Sequence, residues 1–584
     1  MKLLKGVDLL IGTFLCEKAV RRDMLITLGR YLRIKPSSGL PCANGQAFGK
    51  KNQNVSQIIT YFTGGIDNLI SSVQSGAVGG INSYLMTVET DLSDGLPSFT
   101  MVGFLSREVK EAGERVRVAI KNSGIRIPPS RITINFSPAN IPKRDVVLDL
   151  PVAVGILICL EAIPQEAVRN ILILGELGLD GRLHPVRGVL PIVRQAVENG
   201  ITTCILPVEN AAEGAQIMGS RIIWMRNLKE LIHYFSCSSE ERRQQFPVYE
   251  TDRKQQTDVD ENQQLPDFSD IRGQETAKRG IEIAAAGFHN LLMCGAPGAG
   301  KSMLAKAIPG ILPPLTDQEI LEVSTVYSIS GMLSDQNPLV RRRPFVEPHH
   351  SATVVSLTGG GSIPRPGMIS MAHCGVLFLD EMPEFRREVL DSLRQPMESR
   401  HIHITRNLAS YDFPTRFMLV GAMNPCPCGY YPDLSRCSCS LPMIHKYQQR
   451  ISGPILDRID LQIRVEDIGV EQLLQKNSGR TSREVQENVI RVLQIQKNRF
   501  EGSSICFNAD MSISQIEKYC ELDESLQKFM CSAFEKMKLS ARAYHRVLKV
   551  ARTIADLAGE DRIREEHLLE AIGFRNGGDR FFDY

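Results

Sequence analysis

Several features that would assign this chain to a special environment are missing. No run of about 18 uncharged apolar residues occurs, so no spanning helix is expected. The formal net charge is only +2, which excludes a bulk electrostatic case for nucleic acid or membrane and leaves any polyanion binding to local basic loops. The opening MKLLKGVDLLIGTFLC has a faint leader look, but Asp8 interrupts its apolar run and no small-residue cleavage site follows. A cytoplasmic protein is expected. A disulfide framework is also missing: of 14 cysteines, ten are scattered singly, several within apolar runs (Cys159, Cys204, Cys294), as reduced core thiols would be. What is present is an ordinary globular composition, 43% apolar and 23% charged, over 584 residues. That length suggests about three or four domains.

Residues 1–66 carry little periodic signal and a Gly/Asn/Lys/Gln-rich patch, and are expected to be a poorly ordered extension or sequence upstream of the native start. From 67 to 237 strands alternate with helices: SYLMTVETDL and SRITINFSP read as strands, LSREVKEAGERVRVAIKNSG as an amphipathic helix ending at glycine. Through LDLPVAVGIL and LGELGLDGRLHPVRGVLPIVRQAVENGI this region resembles the proteolytic domain of Lon proteases, of ribosomal-S5-like α+β fold. Lon has its serine after the proline of the first stretch and its lysine in the second. Here those positions are Val152 and Leu190, so the resemblance implies a fold without peptidase chemistry. Residues 238–266, charged and Gln-rich, read as a linker.

The strongest motif follows. LLMCGAPGAGKSMLA reads as a buried strand, a glycine-rich loop and a helix opening, with Gly295, Ala296, Pro297, Gly298, Ala299, Gly300, Lys301 and Ser302 forming G-x-x-x-x-G-K-S. Glycines at these places let backbone N–H groups turn onto phosphate oxygens, and the helix N-terminus adds positive potential. Lys301 would neutralise the β- and γ-phosphates of ATP, and the Ser302 hydroxyl would join the shell of Mg²⁺. CGVLFLDEM then reads as a strand buried on both faces and ending in Asp380 and Glu381, the first suited to hold Mg²⁺ and the second to polarise water.

With RPFVEPHHSATVVSLTGGGSIPRPGMISMAHCGVLFLDEMPEF, MNPCPCGYY and ISGPILDRIDL, these motifs resemble the magnesium chelatase-like AAA+ proteins of the YifB/ComM group. The resemblance implies an α/β multidomain chain. A Lon-like α+β domain is followed by a phosphate-loop core with a parallel sheet (267–475) and a helical C-terminal lid (476–584). It also implies that Ile271 and Gln274 pack the adenine, and that Asn424, at the end of RFMLVGAMNP, orients the water. Arg458 resembles an arginine finger that reaches a neighbour's γ-phosphate, and Arg542 resembles the lid's sensor arginine. A finger acting in trans requires a ring, so a homo-oligomer, usually a hexamer, is expected.

Two insertions bear on the cargo. Gly/Pro punctuation in RRRPFVEPHHSATVVSLTGGGSIPRPGMIS reads as a hairpin set into a helix, and ESRHIHITRNLASYDFPTRF as a second hairpin. Both resemble the channel hairpins of the helix-2-insert clade, which grip DNA. His349, His350, Arg400, His401, His403 and Arg406 are the expected contacts, a few per subunit multiplied around a ring. Solvated hairpins or a protein contact would read the same way in sequence. The four remaining cysteines, Cys426, Cys428, Cys437 and Cys439, form C-x-C-x8-C-x-C, a candidate zinc set with His445 as a possible substitute ligand, although C-x2-C is the usual spacing.

The favoured reading is a ring ATPase that translocates single-stranded or branched DNA, with an unidentified loading partner; the YifB/ComM resemblance implies that it remodels branched DNA in uptake and recombination. A magnesium chelatase motor is one rival, but the Lon-like domain and cysteine cluster give it no evident use. A protein unfoldase is the other, and no clear aromatic pore loop supports it.

Overall fold

The phosphate-loop strand, Leu291–Gly295, has five buried residues in a row, LLMCG, and such a strand needs a neighbour on each side. It has them. Met418–Met423 and Leu461–Val465 pair with it in parallel on its two sides, and the full five-stranded order runs Phe345–Val346, Val376–Leu379, Met418–Met423, Leu291–Gly295, Leu461–Val465. The computed structural model describes residues 70–103, 106–139, 146–250, 265–361, 364–406, 409–467, 479–503, 505–537 and 540–582. The expected extension over 1–66 lies outside the described residues.

Ahead of this core stands a seven-stranded mixed sheet, built outward from an antiparallel pair, Ser71–Gly79 with Asn82–Ser93. Helix Asp149–Cys159 is buried from Asp149 to Ile158 and packs on that pair. Val152 and Leu190, where a Lon-type serine and lysine would sit, are each 1% exposed within this apolar core. Asp149 is also buried. Burial lifts its carboxyl to about 6 even though Arg115 grips both oxygens at 3.0 and 3.1 Å.

The front sheet and the ATPase core meet along a polar seam. Helix Val189–Glu198 packs on helix Asp317–Ser330, Gly188 donates its N–H to the Ser328 carbonyl at 3.1 Å, and Ser328 donates its hydroxyl to buried Glu213. The turn at Gly80–Ile81 touches the second insertion, where Ile81 N–H donates to the Asp412 carbonyl at 3.2 Å.

The stretch expected as a linker from 238 opens with a helix. Ser238 and Glu241 form a capping box that starts helix Ser239–Gln245, and Phe246 then packs edge-on against His233 and Tyr234. Two hairpins occupy the insertions. Gly359–Gly360 pairs with Arg365–Pro366 between helices Val354–Thr358 and Met368–Met371, and His401–Arg406 pairs with Ala409–Pro414. The C-terminal region is helical: Ser482–Arg499, Glu524–Met537, Ala541–Ala558 and Glu565–Phe582. It shares one apolar core with the ATPase helix Glu275–Gly287, where Phe288 stacks on Phe507 at 4.8 Å.

Candidate nucleotide site

All five core strands point the same way, so residues following them gather at one edge of the sheet, where ligands of open α/β folds bind. Gly298 and Gly300 adopt φ of 81° and 93°, a region that side chains resist, and the loop closes into helix Lys301–Ile311. Lys301 is 8% exposed, and burial lowers its pKa against the pull of Asp380 and Glu381. Its Nζ donates to the carbonyls of Gly295 (2.7 Å) and Ala296 (2.8 Å) and to Asn424 Oδ1 (3.1 Å). Ser302 Oγ donates to Asp380 Oδ2 at 2.8 Å. A hydroxyl and a carboxylate side by side are hard oxygen donors, the type that Mg²⁺ takes, so these residues fit that ion. Thus Lys301, Ser302, Asp380 and Asn424, up to 123 residues apart in sequence, form one contact set.

Gln274 braces the loop from outside. At φ 59° it turns its amide inward, bonding the Ala299 carbonyl and both the N–H and the carbonyl of Glu466. Ile271 is 5% exposed in the adjoining core.

Glu381 also has positive φ, 49°, and its exposed carboxylate lies 3.9 Å from His350 Nδ1. The sequence reading put His349 and His350 on DNA. The structure sets them just past strand Phe345–Val346, at the same edge as Glu381, with their rings 4.1 Å apart. Parallel pairing of that strand with Val376–Leu379 forces this placement, and Glu-adjacent histidine was not legible from spacing.

The two expected arginines lie elsewhere. Arg458 precedes strand Leu461–Val465, whose far end pairs with Gly295, so about 16 Å of strand separates it from the loop's edge. Its side chain is 8% exposed, pairs with Glu398 and donates to the Pro454 carbonyl at 2.6 Å, and its buried Nε has no hydrogen-bond partner. Asp460 beside it is buried. Burial alone would raise its carboxyl, but Arg546 and His289 hold it far below the usual carboxylate range. Arg546 bonds both Asp460 and the Arg458 carbonyl, so the lid helix reaches this opposite edge. Arg542 is exposed at the start of the same helix, one turn before Arg546. Asp460, Arg546 and Glu398 were missed in the sequence; the four-residue spacing of Arg542 and Arg546 was the available sign.

Among the other expected DNA contacts, Arg400 is tied down, to Asp510 at 2.6 Å and the Phe417 carbonyl at 3.2 Å. The rings of His401 and His403 flank Asp412, each 3.1 Å from it, on the hairpin's exposed face. The Arg406 side chain lies outside the described residues. A cavity of about 980 Å³ opens beside Arg400, Arg458, Arg546 and Glu398, between the front sheet and the lid.

The four clustered cysteines do come together: their sulfurs all lie within 4.8 Å of one another. Burial resists ionisation of Cys428, yet N–H groups of Tyr430 and Ser438 and the neighbouring thiols draw it down to about 6.

Comparison with known proteins decides the family. The model of magnesium chelatase subunit ChlI matches residues 267–473, that of subunit ChlI of Mg-chelatase residues 88–210, and the ChlI C-terminal model residues 479–575. Competence protein ComM of Haemophilus influenzae is 41% identical over 82% of this chain and 92% of its own length. The chain belongs to the magnesium chelatase-like YifB/ComM family. YifB of Escherichia coli is 39% identical over the same shares, and the magnesium-chelatase 38 kDa subunit of Cereibacter sphaeroides 28% identical over 27% of this chain and 52% of its own. Members of the YifB/ComM family are AAA+ ATPases, a class that uses ATP with Mg²⁺ and oligomerises. Among the described residues no helix is long and apolar enough to cross a membrane.

Proposed function

We propose that this chain is one subunit of a hexameric ring that hydrolyses ATP between subunits to translocate DNA.

 

The observation that carries this reading is the separation of the two edges. Lys301, Ser302, Asp380 and Asn424 meet at one edge of the sheet, and Arg458 sits at the other, so one chain supplies two different halves of a site. In a ring, Arg458 would leave Glu398 for the γ-phosphate held by the neighbour's Lys301, and its unpartnered buried Nε–H suits a group with a second position. Arg542 would approach the same neighbour from the lid. Within each chain Lys301 binds the phosphates, Ser302 and Asp380 hold Mg²⁺, Glu381 and Asn424 orient the attacking water, and Ile271 and Gln274 shape the adenine end. Ser302 and Asp380 would hold Mg²⁺, whose positive charge would offset the negative charge that develops during phosphoryl transfer.

DNA as cargo is supported by the hairpin carrying His401 and His403, exposed beyond the core, and agrees with the name competence protein borne by the Haemophilus influenzae relative. Arg400, bound to Asp510, is better assigned to holding the hairpin's base. The cysteine cluster is assigned to a structural zinc. The test is branch migration and unwinding of forked DNA by the wild type and Lys301→Ala. The wild type should unwind and show DNA-stimulated ATPase, and the variant should do neither. Failure of the wild type to bind forked DNA, with ATPase indifferent to it, would remove DNA as the cargo.

A further inference from the structure

The cysteine loop does more than follow Asn424; it leans on the phosphate loop. Gly429 has φ 89°, and a Cβ placed there would stand 2.3 Å from Cδ and 2.6 Å from Cγ of Pro297, the third residue of GAPGAGKS. The two loops are therefore in backbone-close contact, with no room for a side chain at 429. Three residues earlier, Cys426 is buried, and its sulfur accepts N–H bonds from Gly429 (3.2 Å) and Tyr431 (3.4 Å). Two residues before Cys426 stands Asn424, the acceptor for Lys301 Nζ. Between them the Pro425 carbonyl accepts from the Gln448 amide at 3.0 Å. The cluster is thus tied to the phosphate loop at Pro297 and to Lys301.

The sulfurs are spaced for a metal. Cys426 and Cys428 are 3.3 Å apart, Cys426 and Cys437 3.7 Å, Cys428 and Cys437 3.5 Å. A tetrahedral zinc with bonds of about 2.3 Å sets its sulfurs about 3.8 Å apart, so small outward shifts admit the ion.

We propose that zinc in this cluster is a lock on the phosphate loop, so that zinc occupancy sets the affinity for ATP. The proposal rests on the zinc reading above and adds the coupling. With the ion in place, Cys426, Cys428, Cys437 and Cys439 fix the Gly429 peptide against Pro297 and keep Asn424 on Lys301. Without it the 426–439 loop keeps its hydrogen bonds, the Arg436–Asp467 ion pair and Arg436 over the Tyr430 ring, but nothing joins its four sulfurs, and the phosphate loop loses its outer wall.

The test uses the full chain and a fluorescent ATP analogue with magnesium in excess. Zinc per chain is measured first, then analogue affinity before and after zinc is stripped with a mercurial and chelator, and after zinc is returned. Gly429→Ala is measured alongside, because it leaves all four ligands while straining the left-handed peptide at 429 and pressing on Pro297. The expected result is one zinc per chain, at least a tenfold loss of affinity on stripping that zinc reverses, and a comparable loss in Gly429→Ala with its zinc retained. Protein that holds no zinc and has four freely reactive thiols overturns the zinc reading and the lock with it. Zinc present, with affinity unchanged by stripping or by Gly429→Ala, overturns the lock and leaves the zinc reading standing.

Discussion

The two edges of the core sheet are built from the same five strands and are chemically opposite. At the carboxyl edge the polar groups are loosely held: Glu381 is exposed, His350 stands 3.9 Å away, and Lys301 bonds carbonyls of a glycine loop. At the amino edge most are buried in a dense network, although Arg458 Nε has no hydrogen-bond partner. Asp460 receives Arg546 and the Asn290 N–H, and Asn290 in turn bonds the Arg458 carbonyl and the Leu419 N–H. The difference shows how one module can supply both sides of a shared site. The edge that must accept a ligand keeps donors that can exchange partners. On the proposed reading, the edge that presents Arg458 to another chain fixes that residue's backbone in a network anchored on a buried carboxylate.

The comparison breaks first at Arg458. Arg458→Ala should lower ATP hydrolysis about 1000-fold, the scale of an arginine finger, while leaving nucleotide binding by the same chain intact. Mixing it with Lys301→Ala chains should restore some activity, since sites pairing an intact Arg458 with an intact Lys301 then form. Two inactive variants that stay inactive when mixed would show that the edges do not meet between chains.

A second break is at the amino edge itself. Asp460→Asn should destabilise the fold by about 3 kcal/mol, because it breaks the ion pair between buried Asp460 and half-buried Arg546. The pH dependence follows from the lowered carboxyl. Its contribution is fully present above the ordinary carboxylate value near 4 and is lost as pH falls from there toward the folded value. Denaturant titrations should therefore show wild-type stability dropping below about pH 4 more steeply than that of Asp460→Asn. Equal slopes would mean that Asp460 does not carry the edge.

At the carboxyl edge, His350→Gln removes a group 3.9 Å from the Glu381 carboxylate and should lower kcat about tenfold, or about 1.4 kcal/mol, with little change in KM for ATP. An unchanged kcat would detach His350 from the site. The smallest effect is on the hairpin. Asp412→Asn frees His401 and His403 from a carboxylate and should tighten DNA binding about threefold at low salt, an advantage that salt erases. A loss of affinity would place DNA elsewhere.

Much of this was legible along the chain because local rules wrote it. The loop from Gly295 to Ser302 carries its own phosphate geometry, and the apolar runs before Asp380 and Asn424 announce buried parallel strands. The capping box at Ser238 was also readable, yet the charge and glutamine around it suggested a linker. Other elements had no such sign. Strand Ser71–Gly79, SSVQSGAVG, has too few large side chains to alternate, and its place comes from pairing with Asn82–Ser93. His349 and His350 look like basic loop residues until a two-residue strand brings them beside Glu381.

Sequence alone determined the identity of the candidate groups: a lysine, a serine, an adjacent acid pair and an asparagine after apolar strands, with four cysteines grouped close behind. Tertiary structure decided which of them share an edge. Parallel pairing puts strand ends from residues 295, 379, 423 and 465 side by side and sends Arg458 to the far end, and the fold closes Gly429 onto Pro297. The physical reason is that residue type fixes what a group can bond, whereas strand order and direction fix what it can reach.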